Sequence, residues 1–463
     1  MHMSEVICAI STPPGMGAIA VVRLSGEGSI GLMDRVFSSP SGRKLAEAAA
    51  NTVHFGQIHA GEELIDEVLV TVFRAPHSFT GEESMEISCH GSVYIQQRIM
   101  ELLLGEGARM AKAGEFTRRA FRNGKFDLSQ AEAVADLIAS TSRTSHRVAM
   151  NQMRGGFARK LALLRDKLLQ FVSLIELELD FSEEDVEFAN REKLHELTHE
   201  IEEEIQTLVD SFRLGNAIKS GIPVAIIGET NVGKSTLLNL LLNEEKAIVS
   251  DIHGTTRDVI EDTVNMGGVT FRFIDTAGIR QTTDTIETLG IERTFRKIEQ
   301  ASIVLWMIDM TTPRDQIEIL AASIIPTLQD KQVILLFNKA DLVSEDVRAD
   351  FDTLFPELGA DRLFISAKQH HNTDRLQRLL VEAAAIPSIG EGDVIVTNLR
   401  HYESLKSALE AIHRVKEGLE VGITHDFLSQ DIRECVFYLG EITGEISTDE
   451  ILGNIFSKFC IGK

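Results

Sequence analysis

A strand, a glycine-rich loop and a helix follow one another without interruption in the middle of this chain, and this combination restricts the fold more than any other feature. The apolar run 222-IPVAIIG-228 leads into 228-GETNVGKS-235, which matches the P-loop pattern, and 236-TLLNLLL-242 continues as an apolar helix. In a P-loop, glycines allow backbone N–H groups to curl around phosphates at the start of a helix. The pattern predicts a phosphate-binding α/β domain.

The residues after the P-loop continue the strand and helix pattern of an α/β domain. Three apolar runs predict buried parallel strands: 301-ASIVLWMID-309, 331-KQVILLF-337 and 362-RLFIS-366. The segment 263-TVNMGGVTFRFID-275 predicts a β-hairpin that turns at Gly267 and Gly268. We therefore predict an inserted Ras-like P-loop domain over residues 221–386.

Further segments of this domain supply the chemistry of phosphate transfer, in the order of GTPase motifs. Lys234 offers a point charge to the phosphates, and the hydroxyl of Ser235 suits Mg²⁺. The segment 254-GTTRD-258 supplies Thr256 as a second hydroxyl for Mg²⁺, and 275-DTAG-278 can reach the metal shell and the γ-phosphate. Together these residues predict hydrolysis of a nucleoside triphosphate that carries Mg²⁺.

The base is read by 338-NKAD-341, and 366-SAK-368 completes the pocket. The Asp341 carboxylate can accept hydrogen bonds from guanine N1–H and from the exocyclic amine, a pair that adenine cannot match. Each buried polar group left unpaired costs about 1–3 kcal/mol, so this loop favours GTP. The predicted GTP-binding residues are Asn231, Val232, Gly233, Lys234, Ser235, Thr236, Ser250, Thr255, Thr256, Asp275, Thr276, Ala277, Gly278, Asn338, Lys339, Asp341, Ser366 and Ala367.

One position departs from the usual pattern. Ile279 follows DTAG directly, where many GTPases carry the glutamine that orients the attacking water. An aliphatic side chain cannot hold a water molecule for attack. The sequence therefore requires another group to activate the water.

The segments on both sides of the GTPase domain have different textures. Residues 1–120 alternate strand-like runs such as 67-EVLVTVF-73 with glycines and a helical stretch, which predicts an α+β domain. Residues 121–220 and 387–463 show apolar residues every three or four positions, which is typical of amphipathic helices. We predict one helical domain formed by these two chain segments, with the GTPase domain inserted between them.

The composition limits the binding partners and the cellular location that the chain can have. The formal charge of -24 disfavours non-specific binding to nucleic acid, so any RNA contact needs a local basic patch or a partner. The four cysteines, Cys8, Cys89, Cys435 and Cys460, have the spacing of neither a disulfide framework nor a zinc site. No signal segment and no apolar run of about 18 residues is present. We therefore expect a cytoplasmic protein.

The motifs of the GTPase domain resemble the translation-factor-related branch that includes Era and Der, and the whole chain resembles something narrower. The segments that carry the narrower resemblance are 13-PPGMGAIAVVRLSG-26, 78-SFTGEESMEISCHG-91, 114-GEFTRRAFRNGKFDLSQAEAVADLI-138 and the terminal 459-FCIGK-463. With the inserted GTPase domain they cover essentially the full length. In these segments the chain resembles the tRNA-modification GTPase family MnmE, also called TrmE.

This resemblance implies a function, partners and cofactors. Members form homodimers whose N-terminal domains hold a tetrahydrofolate derivative, either the 5-formyl or the methylene form. They act with the flavoprotein MnmG, which carries FAD, in a heterotetramer or a larger complex. Together the two proteins install an aminomethyl-type group, such as carboxymethylaminomethyl, on C5 of the wobble uridine (U34) of tRNA.

The resemblance also implies roles for residues outside the GTPase motifs. Arg23, Glu86, Lys125 and Lys463 match the family's folate-contacting positions. Apart from the resemblance, basic residues such as Lys125 read as an ordinary solvated face. Cys460 is either a small buried hydrophobe or a thiol with a role beside the folate.

The resemblance answers the question that Ile279 raises. The missing glutamine is replaced in the family by a K⁺ ion and a downstream glutamate, which matches Glu287 as the catalytic, water-orienting residue. On its own, Glu287 reads as a carboxylate on a helix surface. A fixed K⁺ would stabilise developing negative charge as an arginine finger does. The matching K⁺ ligands are Asn231, Ser250, Ile252 and Thr255.

Two other functions stay open at this level. The chain could be a GTP switch for ribosome assembly, although no KH-like RNA-binding pattern flanks the GTPase domain. It could also be a folate-dependent one-carbon transferase that GTP regulates and that needs no flavoprotein. Reconstitution with and without the flavoprotein distinguishes this second alternative from the MnmE function.

Overall fold

The computed structural model describes residues 5–180, 191–246, 262–274, 295–387, 390, 393–457 and 459–462. The chain forms two compact units. The first contains Met1–Ala135, Gln152–Glu202 and Ser407–Lys463, and the second contains Asp136–Asn151 and Glu203–Lys406. The bounds that the sequence suggests for four domain segments, 1–120, 121–220, 221–386 and 387–463, stay predictions.

The first unit contains a seven-stranded sheet. Its strands lie in the order β3-β4-β5-β6-β2-β1-β7, and all neighbours are antiparallel except β1 and β7. This sheet confirms the strand that the sequence predicts at residues 67–73. The strands are β1 (Ile7–Ile10), β2 (Ile19–Ser25), β3 (Phe37–Ser38), β4 (Thr52–Ala60), β5 (Glu63–Phe73), β6 (Ser84–His90) and β7 (Arg109–Met110).

The two faces of this sheet are covered differently. Helices α1 (Ser29–Val36) and α2 (Val93–Gly105) bury a continuous apolar core against one face. On the other face, α3 (Glu115–Arg122) inserts Phe116 against Ile7 and Ala9 of β1. Farther along this second face, Phe55 of β4 and Leu69 of β5 are cross-strand neighbours and are both about half exposed, at 51% and 47%. Apolar side chains thus remain at the surface of β4 and β5.

An ion pair fixes the start of α3. Arg109 Nη2 lies 2.6 Å from Glu115 Oε1, and the Lys112 backbone N–H donates to Glu115 Oε2 at 2.9 Å. Burial opposes the negative charge of Glu115, but the hydrogen bonds from Arg109 and Lys112 outweigh it and lower the pKa of this carboxyl to about 2. Since Arg109 belongs to β7, the pair connects the edge of the sheet to α3.

The rest of the first unit is helical and confirms the predicted apolar stripe. On α6 (Gly156–Asp180), Leu161, Leu164 and Leu168 are all fully buried. Arg165 of α6 is ion-paired with Glu445. Three further helices lie wholly or partly in this unit: α12 (Leu399–Val421), α13 (His425–Thr443) and α14 (Asp449–Ser457). Leu452 and Phe456 of α14 pack on Leu128, the first residue of α4 (Leu128–Ala139).

The second unit contains the predicted α/β sheet. Its order is β13-β12-β11-β8-β10-β9, with only the β9–β10 hairpin antiparallel. The parallel strands and the hairpin turn at Gly267 and Gly268 are confirmed. The strands are β8 (Ile222–Ile227), β9 (Asp262–Met266), β10 (Val269–Phe273), β11 (Ile303–Asp309), β12 (Gln332–Asn338) and β13 (Asp361–Phe364).

Both faces of this sheet are buried, which explains its continuous apolar strands. Along β8, Val224 and Ile226 face one core, and Ala225 and Ile227 face the other. The first core is covered by α8 (Lys234–Lys246) and α11 (Thr373–Ala383), and the second by α9 (Arg314–Ile324) and α10 (Glu345–Phe351).

Helical residues complete the second unit. Val148 of α5 (Arg143–Met153) packs with Ile218 of α7 (Arg191–Ser220) and with Ile395. Helix α7 follows the helical pattern that the sequence shows before residue 220, and its last turns belong to this unit. Among the helices that the structure describes, none is both long and apolar enough to cross a membrane.

Candidate functional site

The P-loop lies between the end of β8 and the start of α8, and two glycines are required by its geometry. Gly228 has φ 141°, and a Cβ there would stand 2.3 Å from the carbonyl oxygen of Met307. Gly233 has φ 106°, and its Cβ would stand 2.5 Å from Asn338 Nδ2. A side chain at either position would force the loop away from β11 or β12, which follows from the backbone freedom of glycine.

Lys234 is the first residue of α8, and its side chain folds back across the loop. Its ammonium group donates to the carbonyl oxygens of Gly228 at 2.8 Å and Glu229 at 2.5 Å. Burial and, to a smaller extent, the positive charge of Lys297 lower the pKa of Lys234 to about 8, and the negative charge of Glu229 partly opposes them. An anionic phosphate bound at this loop would favour the charged ammonium and raise the pKa of Lys234 again.

Two more P-loop residues have suitable positions for ions. Asn231 is exposed and has φ 61°, a left-handed conformation that asparagine tolerates better than most residues. Ser235 lies half-buried in the first turn of α8, where its hydroxyl oxygen suits the coordination preferences of Mg²⁺. Thr236 follows and is exposed, while Val232 is buried beneath the loop.

Asn338 joins three of the predicted segments. It is the last residue of β12 and is 4% exposed. Its Nδ2 donates to the Val232 carbonyl oxygen at 2.6 Å, and its Oδ1 accepts from the Ala367 N–H at 3.0 Å. The structure thus brings the P-loop, the NKAD segment and the SAK segment together at the carboxyl ends of β8, β12 and β13.

The residues that the sequence predicts to contact the base lie beside this junction. Asp341 is exposed, and its Oδ2 accepts a hydrogen bond from Gln369 Nε2 at 3.1 Å. The Gln369 N–H donates to Ser366 Oγ at 3.2 Å, so Gln369 connects the two parts of the proposed guanine pocket. Lys339 has φ 62° and is ion-paired with Asp309.

Asp309 is a site residue that the sequence interpretation missed. It ends β11, directly opposite Asn338 in the strand register. Burial opposes its charge, but Lys339 and Thr311 donate hydrogen bonds to it and bring its pKa below the usual range. The sequence could have indicated Asp309, because it ends an apolar strand and parallel strands end at a common edge of the sheet, here beside the NKAD segment.

Ten predicted residues lie outside the residues that the structure describes, and their roles stay predictions. They are Ser250, Ile252, Thr255, Thr256, Asp275, Thr276, Ala277, Gly278, Glu287 and Lys463.

A second polar cluster lies in the first unit, on the face of the sheet that α3 partly covers. Arg23 of β2 is opposite Glu86 of β6, and its Nη2 and Nε donate to Glu86 Oε1 at 2.6 and 3.0 Å. The Arg23 guanidinium also lies over the rings of Phe79 and Phe116, at 5.3 and 5.7 Å from their centroids. Its Nη1 is buried and has no hydrogen-bond partner among the described residues.

Lys125 and the C-terminal segment approach the same region. Lys125 Nζ donates to the carbonyl oxygen of Pro76 at 3.1 Å, in the loop that leads to Phe79. The Gly462 carbonyl oxygen accepts from Ser11 Oγ at 3.3 Å, and a Cβ at Gly462 would stand 2.5 Å from the Ile10 carbonyl oxygen. The C-terminal segment therefore lies against the end of β1, the strand that pairs with β2.

The four thiols differ in accessibility. All are free; Cys8, Cys89 and Cys435 are buried, and Cys460 is exposed. Burial raises the pKa of Cys8 and of Cys89 to about 11, which holds both as thiols at neutral pH. Cys460 is thus the accessible thiol of the four, and its carbonyl oxygen accepts from the Gly114 N–H at 3.4 Å.

Comparison with known proteins decides the family. The model of the MnmE helical domain matches residues 128–460, and that of the GTP-binding protein TrmE N-terminus matches residues 6–125. The tRNA modification GTPase MnmE of Bacteroides thetaiotaomicron is 60% identical over 463 residues, which covers 99% of each chain. The chain belongs to the MnmE family. The MnmE protein of Flavobacterium johnsoniae is 52% identical over 466 residues and is covered in full, as is this chain.

Among solved structures, this MnmE-family chain is similar to Era in complex with MgGDPNP and nucleotides 1506–1542 of 16S ribosomal RNA. The identity is 31%, the match covers 41% of this chain and 66% of Era, and the TM-score is 0.27.

Membership of the MnmE family fixes the general activity. The chain is a GTPase that acts in tRNA modification, so it uses GTP with Mg²⁺ and its work involves tRNA. The predicted architecture is also confirmed: a TrmE N-terminal domain, a helical domain and a P-loop GTPase domain.

The guanine preference should depend on the carboxylate of Asp341. Replacing Asp341 with Asn exchanges one acceptor for a donor, which suits the 2-oxo group of xanthine and repels the guanine amine. We expect Asp341→Asn to weaken GTP binding about 10- to 100-fold and to improve xanthosine triphosphate binding, because a mispaired polar group costs about 1–3 kcal/mol. A competition titration with the two nucleotides measures both effects. An unchanged preference would show that Asp341 does not read the base.

Proposed function

We propose that this chain is a K⁺-dependent GTPase that acts with the FAD-dependent protein MnmG to install an aminomethyl-type group, such as carboxymethylaminomethyl, on C5 of the wobble uridine (U34) of tRNA. One observation carries this proposal beyond a simple GTP switch. The first compact unit holds a polar cluster around Arg23 that is separate from the GTP site of the second unit. A GTP switch needs no second ligand site, whereas a modification that adds carbon does.

Mass spectrometry of tRNA nucleosides tests this function. Cells that lack the chain should lose the C5-modified wobble uridine, and a plasmid copy of the gene should restore it. A full complement of this nucleoside in the deleted cells would refute the proposal. Reconstitution with unmodified tRNA, with and without MnmG, separates the proposal from a one-carbon transferase that needs no flavoprotein.

The proposal of K⁺ dependence rests on Ile279 and Asn231. Ile279 cannot replace the glutamine that orients the attacking water in many GTPases. Other groups must therefore orient the water and stabilise the negative charge of the transition state. Asn231 is exposed at the P-loop, so its amide oxygen is accessible as an ion ligand. Ser250, Ile252 and Thr255 are the other proposed ligands, and Glu287 is the proposed water-orienting residue. A K⁺ ion held there would supply positive charge beside the phosphates.

Hydrolysis should therefore be fast in KCl and slow in NaCl, because Na⁺ is too small for a K⁺-sized set of ligands. An arginine finger contributes about 10³–10⁵ in rate, so even part of this effect is easily measured. Asn231→Ala should abolish the K⁺ response with a modest loss of nucleotide affinity. Glu287→Ala should instead lower the rate in both salts. Single-turnover rates that are equal in matched KCl and NaCl would exclude the cation mechanism.

The proposed ligand of the first unit is a tetrahydrofolate derivative, such as the 5-formyl or methylene form. The buried Arg23 Nη1 is a donor with no acceptor among the described residues, and Phe79 and Phe116 provide apolar surface beside it. Glu86 can accept from the amines of a pterin, while Lys125 and Lys463 suit its anionic glutamate tail. Cys460 lies in the segment that approaches β1, and a thiol role for it stays part of this proposal.

Loss of the Arg23 guanidinium should weaken folate binding without affecting the GTP site. We expect Arg23→Gln to lower the affinity for 5-formyltetrahydrofolate about 10- to 100-fold, because hydrogen bonds to charged groups contribute about 1.5–3 kcal/mol. Removal of Lys463 should also weaken it. Calorimetry measures both affinities, and basal GTP hydrolysis should stay nearly unchanged.

Arg35→Gln is the matched control for this experiment. Arg35 lies in the same unit and is also ion-paired, with Glu106 at 2.6 Å, but it is half-exposed on α1. If Arg23→Gln and Arg35→Gln bind folate as tightly as the unsubstituted chain, the cluster around Arg23 is not the folate site.

The proposed homodimer has a candidate surface in the first unit. Val53, Phe55 and Leu69 are exposed on neighbouring strands β4 and β5, and contiguous exposed apolar surface marks interaction sites. Burial of this face against a second copy would remove it from water. Phe55→Asp should therefore shift the sedimentation coefficient towards that of a monomer. Ile319→Asp, at an exposed apolar position of α9, should leave it unchanged; equal behaviour of both variants would place the dimer contact elsewhere.

The partner MnmG and the cellular location complete the proposal. In this proposal MnmG supplies the FAD chemistry, as membership of the MnmE family implies. We propose that the two proteins form a heterotetramer or a larger complex in the cytoplasm, where the tRNA substrate is found. Co-purification of tagged chain with MnmG from a cytosolic extract measures both statements.

A further inference from the structure

One part of this acidic chain is free of acidic residues. Residues 137–165 contain no Asp or Glu, although the chain as a whole has 70 of them against 46 Lys and Arg. At that average density a stretch of this length would hold about four acids. The same stretch contains Arg143, Arg147, Arg154, Arg159, Lys160 and Arg165. Charge is thus locally reversed in the segment that includes α5.

The basic residues of α5 lie on its outer side. Arg143, His146 and Arg147 are exposed, and His146 and Arg147 follow Arg143 by three and four positions, which places each of them about 5–6 Å from Arg143 on the helix surface. Val148 and Ala149 are buried on the opposite side. We call Arg143, His146 and Arg147 the basic face of α5.

Contacts within the second unit hold α5 in this orientation. Thr144 Oγ1 donates to the Gly268 carbonyl oxygen at 3.0 Å, at the turn of the β9–β10 hairpin. Asn265 Nδ2 of β9 donates to the Thr141 carbonyl oxygen at 2.8 Å, just before the helix. With Val148 packed in an apolar cluster, the helix cannot turn its basic face inward without breaking these contacts.

The acidic residue nearest in sequence does not cancel this charge. Asp136 precedes the acid-free run, and its carboxylate is ion-paired with Lys219 at 2.8 Å. Its negative charge is therefore matched by a lysine of α7. Asp136 is therefore not left as an unpaired negative charge before α5.

We propose that the basic face of α5 binds the phosphodiester backbone of tRNA. The inference rests on the role in tRNA modification and adds the surface that makes the contact. Guanidinium groups form paired hydrogen bonds with phosphate oxygens, and such contacts position a protein on nucleic acid without reading its sequence. The formal net charge of -24 repels RNA, so a direct tRNA contact on this chain needs a local basic patch, and the basic face of α5 offers one.

Binding of a tRNA transcript to the full-length chain tests the proposal. At physiological salt, Arg143→Ala with Arg147→Ala should weaken binding at least tenfold. Each lost phosphate contact lowers the slope of log K against log salt by about 0.7–0.9, so the two substitutions together should lower it by about 1.4–1.8. Arg143→Lys with Arg147→Lys keeps both charges and should keep most of the slope. GDP affinity reports whether the unit is folded.

Arg375→Ala with Arg378→Ala is the matched control. Both arginines are exposed on α11 in the same unit, three positions apart, and their loss changes the net charge equally. This pair should leave tRNA affinity within about twofold. Equal weakening by both double variants, or no weakening by either, would overturn the proposal, since only net charge or neither helix would then matter.

Two further measurements complete the test. Photochemical crosslinking of the unsubstituted chain to the transcript should map to residues 143–147, and this result does not depend on the folding of a variant. Crosslinks only elsewhere would overturn the proposal. The same double variant is also tested for binding of MnmG and of polyglutamate, a model of an acidic protein surface. If Arg143→Ala with Arg147→Ala abolishes binding of either one and leaves tRNA binding unchanged, the surface binds protein and the proposal is wrong. Nucleoside analysis of deleted cells tests the modification role separately, so the two failures are distinguishable.

Discussion

The two hydrogen bonds of the Asn338 side chain hold together the loops of the proposed GTP site. A single buried amide donates to the P-loop and accepts from the segment after β13, so it fixes the relative positions of loops that are far apart in sequence. The close approach of Gly233 to the same amide is possible only without a Cβ. Because Asn338 is desolvated, breaking either bond leaves a polar atom unpaired, which costs about 1–3 kcal/mol. The junction of the P-loop with the NKAD and SAK segments is therefore preorganised before any nucleotide binds.

Local sequence patterns predicted the elements of this chain well because each has a strong periodic or steric signal. Strands β8, β11 and β12 are buried on both faces and read as unbroken apolar runs, and the stripe of α6 repeats every three or four residues. The hairpin turn requires positive φ values, 60° at Gly267 and 82° at Gly268, and a pair of adjacent glycines in the sequence indicates such a turn. These signals lie within one element, and no tertiary information is needed to read them.

Contacts between distant segments could not be predicted in the same way. Phe79 and Phe116 lie over Arg23 only because the loop after β5 and helix α3 cross the same face of the sheet. Asp309 meets Lys339 because β11 and β12 are neighbours in register, and Gln369 reaches Asp341 from another loop. No local pattern marks such residues, since their roles depend on the sheet order. The resemblance to a family supplied Arg23 and Glu86, but not the aromatic rings beside them.

The acidic net charge of the chain opposes the binding of tRNA, and the arginines of α5 in the second unit offer a local exception. A protein with a formal charge of -24 must approach a polyanion, yet its average field opposes the approach. At physiological ionic strength the Debye length is about 8 Å, so acidic groups farther away are largely screened while groups in contact are not. A few arginines on an anchored helix can then outweigh many distant carboxylates. The hydrogen bonds from Thr144 and Asn265 matter for this reason, because they hold α5 with its arginines outward.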